Sequence, residues 1–203
     1  MEDLTVHIGG IHRWAASMLD GAALGPVPTP PDGADVSAWA DEGRATLLST
    51  MARVDPDREV ITFLGPQPAT FWWRRQAHET AVHAWDATAT TATPWVIPAD
   101  IAADGLDEVL TLFLPRRWGH KAPVWGEGRT VHLHRTDGDG EWMLTIGSSP
   151  TIEHSHAKGD IAVRGTAVDL LLWTVARRVG DQPNVEIFGD TELAEAWRSN
   201  VRI

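Results

Sequence analysis

Arg74-Arg75-Gln76-Ala77-His78-Glu79-Thr80-Ala81-Val82-His83-Ala84-Trp85-Asp86 is the stretch whose reading decides the fold. It lies in a helical segment from about Phe71 to Ala87, placed after Pro66 and Pro68. Its histidines stand one residue further apart than the two ligands of the helical His-Glu-x-x-His zinc motif. At roughly 100° per residue, His78 and His83 point about 140° apart and cannot share one ion. Glu79 and His83 differ by only about 40° and can. The usable pair is therefore Glu79 with His83, and a third ligand must come from elsewhere in the chain.

On this helix Trp72, Gln76, Glu79, His83 and Asp86 share one face, with Phe71, Val82 and Trp85 on the other. Taken alone, Glu79 and His83 also fit an ordinary surface pair on a water-facing side. The first helix, Leu4 to Leu19, shifts that balance. Leu4, Ile8, Ile11, Trp14, Ala15 and Met18 line one side of it, and Asp20-Gly21 stops the pattern. His7 falls in this apolar arc beside Ile11 and Trp14, whereas His12 sits at the arc's edge. A single histidine on an apolar face is more often a hydrogen-bonded core residue than a ligand. Here, however, two helices each offer donors that can converge, as they do in the metal sites of helical bundles. Two neutral imidazoles and one carboxylate leave a coordination position open on zinc or a similar divalent ion, the arrangement of a catalytic site. Asp86, one turn past His83, either orients that ligand or is a solvated acid at the helix end.

Around these two helices the chain reads as helices first and an α+β unit after. Ser37 is the expected cap of a second helix running to about Arg53, and Glu59 to Leu64 reads as a short strand or extended lead-in. A fourth helix is bounded by Pro98 and Pro115, from Ala99 to Leu114. Beyond it Thr130 to Arg135 and Glu141 to Ile146 alternate around an Asp137-Gly138-Asp139-Gly140 turn, a hairpin. Asp160 to Arg164 and Val185 to Phe188 read as further strands, with helices from Thr166 to Arg177 and from Thr191 to Arg198. The fold class is therefore α+β, with a helical domain over 1–118 and a small α+β domain over 119–203.

The bulk numbers exclude more than they select. With 203 residues, 43% hydrophobic and 22% charged, the chain suffices for one large domain or two small ones. A net charge of −11 argues against nucleic-acid or anionic-membrane partners. Its arginine doublets are isolated ones. No apolar run approaches the roughly 18 residues of a membrane span, and no signal peptide opens the chain, so a cytoplasmic protein is expected. There is no Cys, hence no thiol of its own. Eleven Trp with no Tyr read first as core filling. His132 with His134, and His154 with His156, alternate on shared faces but have no acidic partner nearby to complete a four-ligand set. Gly138 and Gly140 belong to a turn, not a phosphate loop, because no Lys-Ser/Thr follows.

Four blocks of the chain resemble the mycothiol-dependent maleylpyruvate isomerase family. They are Leu4-Thr-Val-His-Ile-Gly-Gly-Ile-His-Arg-Trp-Ala15, the Arg74 to Asp86 block, Ala103-Asp-Gly-Leu-Asp-Glu108, and Ala157-Lys-Gly-Asp-Ile-Ala-Val-Arg-Gly165 leading into Leu170-Leu-Leu-Trp173. The resemblance implies a DinB-like four-helix metal-binding domain followed by a domain like sterol carrier protein. It implies zinc on His7, Glu79 and His83, mycothiol as a thiol cofactor, and a small-molecule substrate. It also implies an essential arginine from the C-terminal domain, which aligns best with Arg177, Arg178 and Arg164 being the alternatives. The activity implied is isomerisation of maleylpyruvate type or thiol S-transfer; a noncatalytic small-molecule-binding protein is the rival reading. Family members carry another helix before the one holding the first ligand, so the resemblance implies a shortened start here. Substrate and oligomeric state stay open.

Overall fold

Two glycines in the middle of the first helix set how the N-terminal elements pack. The structure is a computed structural model and describes residues 2–89, 91–93, 95–120, 123–177 and 183–201. Helix α1 (Glu2–Leu19) buries a stripe made of Gly9, Gly10, His12, Ala15, Ala16, Met18 and Leu19. A Cβ on Gly9 would lie 2.6 Å from the indole of Trp39 on helix α2 (Val36–Arg53), and one on Gly43 would lie 2.9 Å from the Gly9 carbonyl oxygen. Bare backbone on both helices thus permits an approach that any side chain would block. Helix α2 is opened by Asp35, whose Oδ1 accepts the backbone N–H of Ser37 and Ala38. The expected cap, Ser37, is instead inside the first turn, because the carboxylate two residues earlier already takes the orphan donors.

Strand β1 (Glu59–Thr62) pairs antiparallel with β2 (Gly65–Pro68), with Thr62 opposite Gly65. Gly65 takes a φ of 89°, and Thr62 Oγ1 donates to its carbonyl at 2.7 Å, closing the turn. Strand β2 escaped the sequence reading because Pro66 and Pro68 disfavour a central strand; a two-stranded ribbon has only edges, where proline is tolerated. Helix α3 (Thr70–Thr88) follows. Its Trp72 is fully buried, donates its indole N–H to the Ile61 carbonyl at 3.0 Å, and meets Trp14 edge-on at 5.1 Å. Trp72 is packed with Ala15, Ala16, Met18, Leu19, Leu47, Val54, Val60 and Ala69 in one apolar cluster.

Met1–Thr88 forms one compact unit and Ala89–Ile203 another. The first unit thus holds three helices and a hairpin among the described residues. Helix α4 (Ala99–Glu108) continues through a π-helical segment (Val109–Phe113) into α5 (Leu114–His120). The sequence predicted an end at Leu114, but the Leu114 N–H reaches back to the Val109 carbonyl, and this wider turn makes room for the Pro115 ring. Helix α4 packs against α6 (Ala167–Thr174), and Trp142 Nε1 donates to Asp107 at 3.3 Å. Residues 99–118, assigned from sequence to the helical domain, therefore share the core of the second unit.

That unit is built on a five-stranded sheet ordered β5-β4-β3-β6-β7. The strands are β3 (Thr130–Arg135), β4 (Glu141–Thr145), β5 (Thr151–Glu153), β6 (Ile161–Gly165) and β7 (Glu186–Gly189). Only β3 and β6 run parallel; the other pairs are antiparallel. Leu133 pairs with Trp142 and Val163, so these side chains share one face, where Val131, Leu144 and Ile161 are also buried. His132 and His134 point to the opposite face, opposite Met143 and Glu141. Helices α6 and α7 (Thr191–Asn200) complete the core through Trp173 and Trp197, which stack at 5.4 Å. The α+β class expected from sequence is the class observed.

Candidate metal centre

Helix α3 runs between two buried flanks. Trp72 and Gln76 are buried on one, and His78, Ala81 and Trp85 on the other. Glu79 and His83 continue the first flank past Gln76, so their face is not the solvated one that a plain surface pair would require. His78 is buried and takes no part in their cluster. Gln76 is 3% exposed, and neither of its amide atoms has a hydrogen-bond partner among the described residues.

Glu79 divides its two oxygens between different partners. Oε1 accepts from His7 Nε2 at 2.8 Å and lies 3.2 Å from His83 Nε2, while Oε2 is ion-paired with Arg75 one turn earlier. The His7 and His83 rings meet edge-on, with centroids 4.9 Å apart. One donor atom from each of His7, Glu79 and His83 lies within 4.8 Å of the others. Tetrahedral ligands at zinc–donor distances of roughly 2.0–2.1 Å stand about 3.3 Å apart, close to the separations from Oε1. Two nitrogens and one oxygen, with a fourth direction open, suit a zinc-class divalent ion.

Outer contacts hold both Glu79 and His83. His83 Nδ1 donates to Asp86 Oδ2 at 2.8 Å, which leaves Nε2 directed toward Glu79. Asp86 is therefore a partner of the His83 ring and not a solvated acid at the helix end. Burial alone would raise the Glu79 carboxyl pKa, but hydrogen bonds from His7 and His83 and the Arg75 charge carry it far below the usual carboxylate range. Burial alone would lower His83, yet hydrogen bonds to Asp86 and Glu79, and the charges of both, push it up to about 9. Glu79 and Asp86 thus hold the His83 ring between them in its charged form.

On α1 the two histidines exchange the roles expected of them. His7 is 45% exposed by its side chain, and His12 is 3% exposed. The buried stripe of α1 centres on Gly9, His12 and Ala16 instead of on the arc through Ile11 and Trp14, because the glycines draw α1 against its neighbours there. His12 Nε2 bonds Thr80 Oγ1 at 3.1 Å, and burial, opposed by the Glu79 charge, lowers its pKa. His7 is left at the rim, where an open coordination position would face solvent.

Residues 1–88 match the mycothiol maleylpyruvate isomerase N-terminal domain, and residues 100–196 match the C-terminal domain of the same family. The chain belongs to the mycothiol maleylpyruvate isomerase family. The first match ends at Thr88, where the first compact unit also ends. No curated protein matches the chain. Two solved structures are similar to part of it. One, a ubiquinone synthesis protein titled UbiJ-SCP2, has 15% identity and a TM-score of 0.37, covering 49% of this chain and 92% of its own. The other, sterol carrier protein 2 like 2 from Aedes aegypti, has 18% identity and a TM-score of 0.38, covering 51% and 100%.

Of the arginines that the family resemblance brought forward, Arg177 follows α6 after Val175 and Ala176. Its N–H bonds the Leu172 carbonyl, and that of Ala176 bonds the Trp173 carbonyl, a Schellman closure with Ala176 at a φ of 53°. The Arg177 side chain is half-buried. Arg164, on β6, faces Glu186 across the sheet at 3.5 Å, both exposed. Arg178 lies outside the described residues. Sequence reasoning passed over Arg75, although its spacing of four from Glu79 on a helix is the signal that finds such pairs. It also gave His132, His134 and His156 no acidic partner, whereas Glu141 bonds all three of them. No helix among the described residues is long and apolar enough to cross a membrane.

Proposed function

We propose that this family member is a zinc-dependent enzyme that uses mycothiol as its thiol cofactor and acts on a small-molecule substrate, as an isomerase of maleylpyruvate type or a thiol S-transferase. The observation that carries the reading is the convergence of His7 Nε2, Glu79 Oε1 and His83 Nε2 within 4.8 Å of one another. Zinc held there supplies a Lewis acid at which a thiol ionises at neutral pH.

Each protein group has a stated task. Glu79 offers Oε1 because Arg75 retains Oε2, and His83 offers Nε2 because Asp86 holds Nδ1–H. His7 brings the third donor from α1 and leaves the solvent side open to a thiol. The absence of Cys fits a sulfur supplied by a cofactor. Arg177 binds a substrate carboxylate through its planar, two-pronged guanidinium and so orients the substrate.

Zinc-loaded protein is tested for cis–trans isomerisation of maleylpyruvate, and for transfer of the thiol to electrophiles, with and without mycothiol. Turnover that needs both zinc and the thiol is expected. Glu79→Ala is expected to lose zinc and turnover together, while Arg177→Ala keeps zinc and loses turnover. Equal zinc contents at the centre in wild type and in Glu79→Ala/His83→Ala would sink the metal reading. Failure of the zinc-loaded enzyme to turn over any substrate with mycothiol would sink the thiol reading.

A further inference from the structure

The face of the second unit's sheet opposite to Leu133 and Trp142 holds a second convergence of metal-binding side chains. His132 and His134 alternate on β3 and so point the same way, and the register sets His134 directly opposite Glu141 on β4. His156, from the segment that leads from β5 to β6, reaches the same carboxylate. Glu141 Oε2 meets His156 Nδ1 at 2.7 Å and His132 Nε2 at 3.2 Å, while Oε1 meets His134 Nδ1 at 3.0 Å. The three ring centroids lie 5.3 to 6.1 Å from one another. One donor atom from each of the four residues lies within 4.8 Å of every other.

We propose that His132, His134, Glu141 and His156 bind a second zinc-class divalent ion, which fastens the segment around His156 to the sheet. Three imidazole nitrogens and a carboxylate oxygen form a complete four-ligand set, the mark of a structural site, in contrast to the three ligands of the N-terminal centre. Nitrogen-rich sets of this kind suit zinc, nickel and copper, whereas calcium and magnesium take oxygen cages. Burial is graded across the cluster. His132 is almost fully covered, Glu141 and His134 are partly so, and His156 is 76% exposed by its side chain, so it is the last ligand to close over an ion. Charge balance alone does not call for this crowding: one carboxylate is balanced by one cation, yet three rings aim at it. His154, two residues before His156, turns away and meets Asp107 of α4 at 3.2 Å.

The test counts ions on the whole protein. Chelator-stripped chain is titrated with zinc by calorimetry and its content is checked by elemental analysis, for wild type, Glu141→Ala/His156→Ala, Glu79→Ala/His83→Ala and the variant that combines all four. Each double variant leaves only one or two ligands at its own site. Two equivalents are expected for wild type, one for Glu141→Ala/His156→Ala, one for Glu79→Ala/His83→Ala and none for the combined variant. In the Glu79→Ala/His83→Ala background zinc should raise the melting temperature and slow proteolysis near His156, and both effects should vanish once Glu141→Ala/His156→Ala is added. Circular dichroism checks that each variant is folded. Zinc content unaffected by Glu141→Ala/His156→Ala, or no zinc bound by Glu79→Ala/His83→Ala, overturns the second site. Loss confined to Glu141→Ala/His156→Ala, with Glu79→Ala/His83→Ala equal to wild type, overturns the first centre and keeps the second.

Discussion

His83 uses its two ring nitrogens for different purposes, and that division can be tested one residue at a time. With Asp86 on Nδ1, the ring is held so that Nε2 faces Glu79. Asp86→Asn should weaken zinc binding about 10- to 100-fold without unfolding the chain, because it removes only the outer partner of a ligand; competition with a zinc indicator reads this. The His83 pKa of about 9 carries a second prediction. Its folded value lies above the ordinary one, so the ring in zinc-stripped protein holds a proton at neutral pH that an ion must displace. Zinc affinity at this centre should rise with pH and level off above about 9, with a proton released from His83. Calorimetry in buffers of different ionisation enthalpy measures the release. The same sign applies to stability. The His83 ion pairs support the zinc-stripped fold fully below about pH 6.5 and lose their effect as pH rises through about 9. Glu79 and His83 were legible in the sequence because helical periodicity alone puts them on one face. The sequence placed His7 on an apolar face that it does not occupy, since hydropathy reports apolar side chains and is silent about the glycines that draw α1 inward.

At the scale of elements, the position of His7 depends on Gly9. A methyl group there meets the Trp39 ring at 2.6 Å, so α1 must move away from α2. Gly9→Ala should cost about 1–3 kcal/mol in urea unfolding and lower zinc affinity together; unchanged values would show that the close approach is not needed. The end of α6 gives the opposite sign. Ala176 takes a left-handed φ of 53° to close the helix before Arg177. Ala176→Gly should stabilise the chain by about 0.5–1 kcal/mol, the relief of the left-handed strain less the entropy glycine adds to the unfolded chain. Two elements were hidden from sequence for a common reason. Proline signals predicted a break at Pro115 and none of the strand at Pro66 and Pro68, yet a π turn absorbs the one and a free edge tolerates the others.

At the scale of the whole chain, the family and the α+β class were legible because they rest on long blocks and on periodicity. Pairings between distant residues were not. Glu141 stands seven residues from His134 and fifteen from His156, and only strand register and the path of the following segment bring the three together. The same holds for α4, which packs against α6 from much further along the chain. The central claim is that His7, Glu79 and His83 hold zinc with one position open to a thiol. X-ray absorption at the zinc edge tests it most directly, on Glu141→Ala/His156→Ala protein carrying one equivalent of zinc, before and after mycothiol is added. The account predicts nitrogen and oxygen neighbours alone at roughly 2.0–2.2 Å before addition, and a sulfur neighbour at roughly 2.3 Å after it. A spectrum that the thiol leaves unchanged would contradict it.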